Sequence, residues 1–305
     1  MSEKTIKTLA KESQDQLQKE TQNASLLQGP FATRNYDMTA IRLQTTLPEL
    51  AILNGTPAMV RPGFNQDDTA KTITIPAIFA KINGIPDDID EYNLFFDKIE
   101  KSSKLEALFN CHLSTAEWEL SDDESSTILS DLSTKTLMSS SAWAYSVLNR
   151  ALQKKIASAI VDTINSWDFI FDKTFENKKL VLRICLDMPK ELMEMSNEVD
   201  YPQEVPLLVV KHDDTSTNAL NEITTDDIIG YNLMHHLGWD VEIYSPSGLS
   251  SIENILNEDQ YDIFYNPKIK ATEASTGTKV SIFNKIQLFF KELYIKIKKI
   301  FKKKR

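Results

Sequence analysis

The residues with the most chemical potential stand at the ends of apolar runs. His212, Asp213 and Asp214 follow the run Val205 to Val210. Adjacent carboxylates beside an imidazole are the material of a divalent-metal site or of an acid–base pair. The same residues are ordinary in a polar loop, where Asp side chains cap turns. Ser245-Pro246-Ser247-Gly248 follows a second apolar run, Asp240 to Tyr244. Free N–H groups in a strand-to-helix turn of this kind can hold phosphate, and a plain turn needs the same residues. Arg61, set before Pro62-Gly63, is a candidate anion ligand or a solvated loop charge. Asn54 and Lys81 are the other polar residues of that region. If the two loops rim one sheet edge, Asp213, Asp214, Ser247 and Gly248 form a single candidate ligand site, with Arg61 as an addition.

Other reactive residues read as structural. His235-His236 falls late in a predicted helix, where one ring packs and the other favours the negative helix end. Cys111-His112 has no partners at metal-ligand spacing, and no metal site is predicted. The sequence lacks G-x-G-x-x-G and G-x-x-x-x-G-K-[ST], so it names no cofactor.

The elements that must position these loops are clearest in the last third. Lys179 to Leu186 and Val205 to Val210 read as strands. Thr224 to Asp227 caps a helix that runs to about Leu237 and stops at Gly238. Asp240 to Tyr244 is a strand, Ser250 or Ser251 opens a short helix, and Tyr261 to Tyr265 is another strand. This alternation predicts a parallel sheet with crossover helices. Upstream, residues 121–126 form an acidic connector, and helical periodicity covers Ser126 to Ser133, Ser139 to Ile164 and Trp167 to Phe175. Ala142, Val147, Leu148, Leu152, Ile156, Ile160 and Ile164 are expected to face inward. From Thr45 to Gly84 short apolar runs alternate with turn pairs, and Lys71 to Pro76 is the best strand there. Asp87 to Asp90 starts a helix that buries Tyr92, Phe95, Phe96 and Ile99.

The predicted fold class is therefore mixed α/β. A polar arm (1–28) precedes a loop-rich and helical part (29–178). A Rossmann-like parallel-sheet part (179–267), a linker (268–279) and a basic amphipathic helix (280–305) follow. The 305 residues suffice for one large or two modest domains. Two distant cysteines, Cys111 and Cys185, fit a reducing compartment. The start shows no apolar secretory core, and neither Ser2 nor the last residues match a lipidation motif.

Charge is sharply divided. From Lys279 to Arg305 there are ten basic residues and one acid, Glu292, so this segment carries +9. The whole chain is −10, which leaves −19 on the remainder. At helical spacing Phe289, Phe290, Leu293 and Ile297 share one face, and Lys291, Lys298, Lys299 and Lys302 lie opposite. Such a helix binds an anionic membrane surface through buried apolar area and lysine–headgroup attraction. Lys285, Lys291 and Lys296 interrupt any bilayer span. Docking on a partner protein or on the acidic body is the alternative. Nucleic acid is disfavoured, because the acidic body repels phosphate. The expected location is cytoplasmic, peripheral at the inner face of the cell membrane.

Two blocks, Pro76 to Gly84 and Leu237 to Gly248, resemble the YceG-like family encoded beside bacterial tellurite and toxic-anion resistance genes. That family shows P-x-I-F-A-K-I-x-G and, later, L-G-x-D-V-x-I-x-x-P-x-G. The resemblance spans Leu47 to about Lys268. It implies a component of a stress or biosynthetic module that works with other resistance-complex proteins, and it assigns no catalytic residue. Two functions remain open: a non-catalytic membrane-surface component, and a transferase-like enzyme acting on nucleotides or sugar phosphates.

Overall fold

The computed structural model describes residues 36–84 apart from Gly55, 106–109, 118–198, 204–211, 223–246 and 251–266, with Asp90, Asn93, Leu94, Phe96, Asp97, Leu113 and Gly248. Within them the protein is mixed α/β, with two sheets joined by nearly continuous strands. In the smaller sheet β1 (Asp37–Arg42) lies parallel to β3 (Thr72–Ala77), and β2 (Asn65–Asp67) pairs antiparallel on its other side. One residue beyond β3 the chain enters β4 (Phe79–Asn83). The larger sheet has the order β5 (Glu106–Phe109), β6 (Leu207–Lys211), β7 (Asp240–Ser245), β4, β8 (Asp262–Tyr265), and all pairs are parallel. Every strand of this sheet thus ends at one edge.

Side chains on β4 alternate between two cores, as a pleated strand requires. Phe79 joins the large cluster that holds the helices, whereas Ala80 and Ile82 join Leu43, Leu50 and Ile78 on the opposite face. Short α1 (Leu47–Leu53) covers that second face, its start fixed by Thr46 N–H donating to Glu49 Oε2 at 3.0 Å.

Small polar residues cap most of the helical layer. Ser121 opens α2 (Asp122–Ser130), Ser133 opens α3 (Thr134–Ser139) and Asn149 opens α4 (Arg150–Ser166). Thr174 opens α5 (Phe175–Leu186), which leads to α6 (Lys190–Glu198). Each of these caps accepts a backbone N–H from the first turn. Thr224 and Asp227 form a reciprocal box at α7 (Thr225–His236), and Gly238 follows at φ +85°. Leu152, Ile156, Ile160 and Ile164 run down the buried stripe of α4.

Three sequence expectations are corrected. Lys179 to Leu186 is helix, not strand. Thr174 caps it, and Val181, Leu182, Ile184, Cys185 and Leu186 are all buried, so the run has no amphipathic period to read. The helix expected from Ser139 is broken by a turn, and α4 begins only at Arg150, which leaves Val147 73% exposed rather than inward. No helix runs from Trp167 to Phe175. Trp167 ends α4 in the left-handed region at φ 53°, and Phe169 then bridges Leu256. Thr45 to Gly84 also holds α1 beside the expected strands. The strands at Val205, Asp240 and Tyr261 and the helix from Thr224 stand where the sequence places them, within about two residues.

Candidate functional site at the carboxyl edge of the parallel sheet

After β4 the chain leaves for the far edge strand β5, and after β7 it passes over β4 to reach β8. The carboxyl ends of β4 and β7 therefore send their connections in opposite directions. A crevice at such a switch point is where open parallel sheets bind ligands.

Lys81 and Asn83 stand at that point, on the helix-covered face of β4, paired in register with Ile243 and Ser245 of β7. The Lys81 side chain is fully buried. Its ammonium donates to the Gly248 carbonyl oxygen at 3.2 Å and forms an ion pair with Glu253 of the 3-10 segment Ser251–Asn254. The Glu253 side chain remains 38% exposed. Asn83 is 2% exposed and its Oδ1 has no hydrogen-bond partner. The Ser245 carbonyl oxygen accepts the N–H groups of Gly84 at 2.9 Å and Gly248 at 3.1 Å, which draws the two loops together. Gly248 sits at φ +80°, and a Cβ there would lie 3.5 Å from Asn83 Cγ, so the turn backbone passes directly over the Asn83 amide.

On the other face of the sheet Glu242 is fully buried and accepts the Tyr244 hydroxyl at Oε2, 2.8 Å away. Phe96 meets Tyr244 edge-on at 5.2 Å, and the Lys211 ammonium lies 4.6 Å from the centre of the Phe96 ring.

Of the residues singled out from sequence, Gly248 is in this site. Asp213, Asp214 and Ser247 lie outside the described residues, as do His212, Cys111 and His112. Arg61 is at the opposite edge, against Asp240 at the start of β7. Its five N–H donors go to the carbonyls of Thr56, Pro76 and Leu53 and to both Asp240 oxygens. The geometry gives Arg61 an architectural place and leaves it no donor for a ligand. The membrane-facing set, Phe289, Phe290, Leu293, Ile297, Lys291, Lys298, Lys299 and Lys302, also lies outside the described residues.

The histidines take separate places. His235 is buried against Phe79, with Nε2 3.2 Å from the Ala77 carbonyl, and burial pushes its pKa down to about 4. His236 Nε2 lies 2.8 Å from Asp168 Oδ2 and 3.5 Å from Ser166 Oγ. Burial raises the Asp168 pKa, but the His236 contact, aided by Asn232 and Ser166, outweighs it and holds the carboxyl below its ordinary value. Ser166 and Asp168 meet the same ring nitrogen, so they cannot serve as nucleophile and orienting acid on either side of a catalytic base. Among the described residues no group of three His, Cys, Asp or Glu is placed to hold a metal ion. An open groove of about 710 Å³ runs between α2 and α3, lined by Ser121, Thr127, Asp131, Thr136 and Ser139.

Sequence reasoning missed Asn83 and Glu253 and gave Lys81 no role. The available signal for Lys81 was a lone charge inside the apolar run Ile78 to Ile82, which marks a buried cation with a partner. Nothing local marks Glu253, 172 residues away.

These strands carry the most recognisable parts of the chain. The family model of the YceG domain matches residues 44–281, most of the chain, and the protein belongs to that family. An uncharacterized protein YceG from Bacillus subtilis (strain 168) is 28% identical over 256 residues, which takes in 79% of this chain and 45% of that protein. The chain thus spans less than half the length of that curated relative. No solved structure matches it.

Proposed function

We propose that this YceG-family protein is a component of a bacterial stress and toxic-anion (tellurite) resistance system, works at the inner face of the cell membrane and is itself non-catalytic. The observation that carries the location is the division of charge: +9 from Lys279 to Arg305 against −19 on the rest. Lysines near an anionic leaflet contribute about 1 kcal/mol each. Phe289, Phe290, Leu293 and Ile297 add apolar burial at roughly 25 cal/mol per Å². Together these give peripheral attachment, and no helix among the described residues is long and apolar enough to cross a membrane. The resistance role rests on the blocks Pro76 to Gly84 and Leu237 to Gly248. Other proteins of the resistance complex are the expected partners, with no role for nucleic acid.

The test is made in cells. Removal of residues 280–305 is expected to move the protein from the membrane fraction to the soluble fraction and to lower tolerance of tellurite as far as full gene deletion does. A truncated protein that stays in the membrane fraction contradicts the location. A full deletion with unchanged tolerance contradicts the resistance role.

A further inference from the structure

We infer that the carboxyl edge of β4 and β7 binds the phosphate group of a small phosphorylated molecule, and that Glu253 occupies the phosphate position when the ligand is absent. This goes beyond the membrane and resistance reading and does not depend on residues 280–305.

The first support is the place of Lys81. A charged amine inside a sheet costs several kcal/mol unless it is paired, and an apolar side chain would fill the position with no such cost. Lys81 is fully buried, yet its charge is met by a carboxylate that is more than one-third exposed. The ion pair is thus anchored on the sheet side and open on the solvent side. An incoming oxyanion can take the place of Glu253 on the ammonium, and Glu253 then moves into water it already touches.

The second support is Asn83. Its amide is buried beside the ammonium on the same strand face, and Oδ1 has no partner. A buried acceptor left without a donor costs about 1–3 kcal/mol. A phosphate oxygen and an adjacent hydroxyl would use the amide from both ends, one as acceptor of N–H and one as donor to C=O. The turn at Gly248 supplies the third wall. Its positive φ sets the carbonyl on Lys81 and the backbone against the Asn83 side chain, so the three polar groups lie together. All three meet at the switch point, where parallel sheets present their ligand sites.

Phosphate is favoured over a carboxylate ligand because Glu253 is already a carboxylate held by the chain. A free carboxylate gains no charge over it, whereas a phosphate dianion does. No bond is made or broken in the exchange.

The experiment follows thermal unfolding of the full chain in inorganic phosphate and in chloride at matched ionic strength. Saturable stabilisation by phosphate is expected. Glu253→Gln removes the internal competitor and should reach half-maximal effect at about five- to tenfold lower phosphate. Asn83→Ala should need several-fold more phosphate. Lys81→Met should show no phosphate effect. Should Lys81→Met fail to fold, Glu253→Gln still decides, because an unchanged or higher phosphate requirement overturns the proposal. The basic segment is controlled by a chain ending at residue 279. Loss of the phosphate effect in that chain overturns the proposal, as does a response of that chain to phosphatidylglycerol vesicles without a response to free phosphate.

Discussion

Arg61 and Asp240, 179 residues apart in the chain, form a forked ion pair with Nη1–Oδ1 at 2.8 Å and Nη2–Oδ2 at 2.7 Å. Both side chains are essentially buried. Asp240 Oδ1 also accepts the N–H of Ile78, the single residue between β3 and β4. The pair therefore pins the point where one long strand passes from the small sheet to the large one, and it fixes the start of β7 beside it.

Breaking this pair should be far more damaging than its net contribution suggests, because the surviving charge stays buried. Arg61→Met is expected to lose about 3–5 kcal/mol in urea unfolding. Arg61→Lys should recover little of it, since an ammonium cannot reproduce the fork. Asp240→Asn should lose a comparable amount. A loss under 1 kcal/mol for Arg61→Met would show that the site relaxes to admit water.

His235 should make stability depend on pH. Burial lowers its pKa from 6.5 to about 4, with the nearby His236 adding to the effect. The folded protein thus holds the neutral ring, and on acidification the unfolded chain takes up the proton first. The contribution is complete above about pH 6.5 and falls steadily down to about pH 4, by roughly 3 kcal/mol in all. Asp168, whose pKa is lowered from 3.8, keeps its contribution throughout this window and loses it only as the pH falls below it. Urea midpoints measured from pH 7 to pH 4.5 should fall in the parent chain, and His235→Gln should flatten most of that slope.

Cys185 should be chemically silent while the protein is folded. It is fully buried, and burial pushes its thiol well above the ordinary range, so almost no thiolate forms at neutral pH. In a Cys111→Ser background, labelling by a thiol reagent should proceed only at the rate of opening and become rapid in denaturant. Fast labelling of the native chain would place Cys185 in a mobile part of α5.

Much of the α/β character was legible because its signals are local. The box of Thr224 and Asp227, the stop at Gly238 and the apolar run of β7 each state their structure within a few residues. The run Lys179 to Leu186 misled because α5 is packed on several sides, and a helix buried that way loses its 3.6-residue period. Trp167 misled because only its left-handed φ, set by the packing of Phe169 and Phe171 around its ring, ends α4 there. The insertion of β4 between β7 and β8 has no local signature. It depends on side-chain partners such as Asp240 and Glu253 that lie far along the chain. For the same reason the sequence pointed to Gly248 but not to Asn83, and it offered Arg61 as a ligand when its partner is a distant carboxylate.

We propose that residues 280–305 hold the protein on anionic lipid. The decisive measurement is flotation with phosphatidylglycerol-containing vesicles, comparing the full chain with a chain ending at residue 279. The full chain should rise with the vesicles and the shortened chain should stay behind. Salt should weaken the attachment by screening, since the screening length shrinks to about 3 Å at 1 M, while the apolar face retains a part of it. Equal flotation of the two chains, or flotation of neither, would contradict the claim.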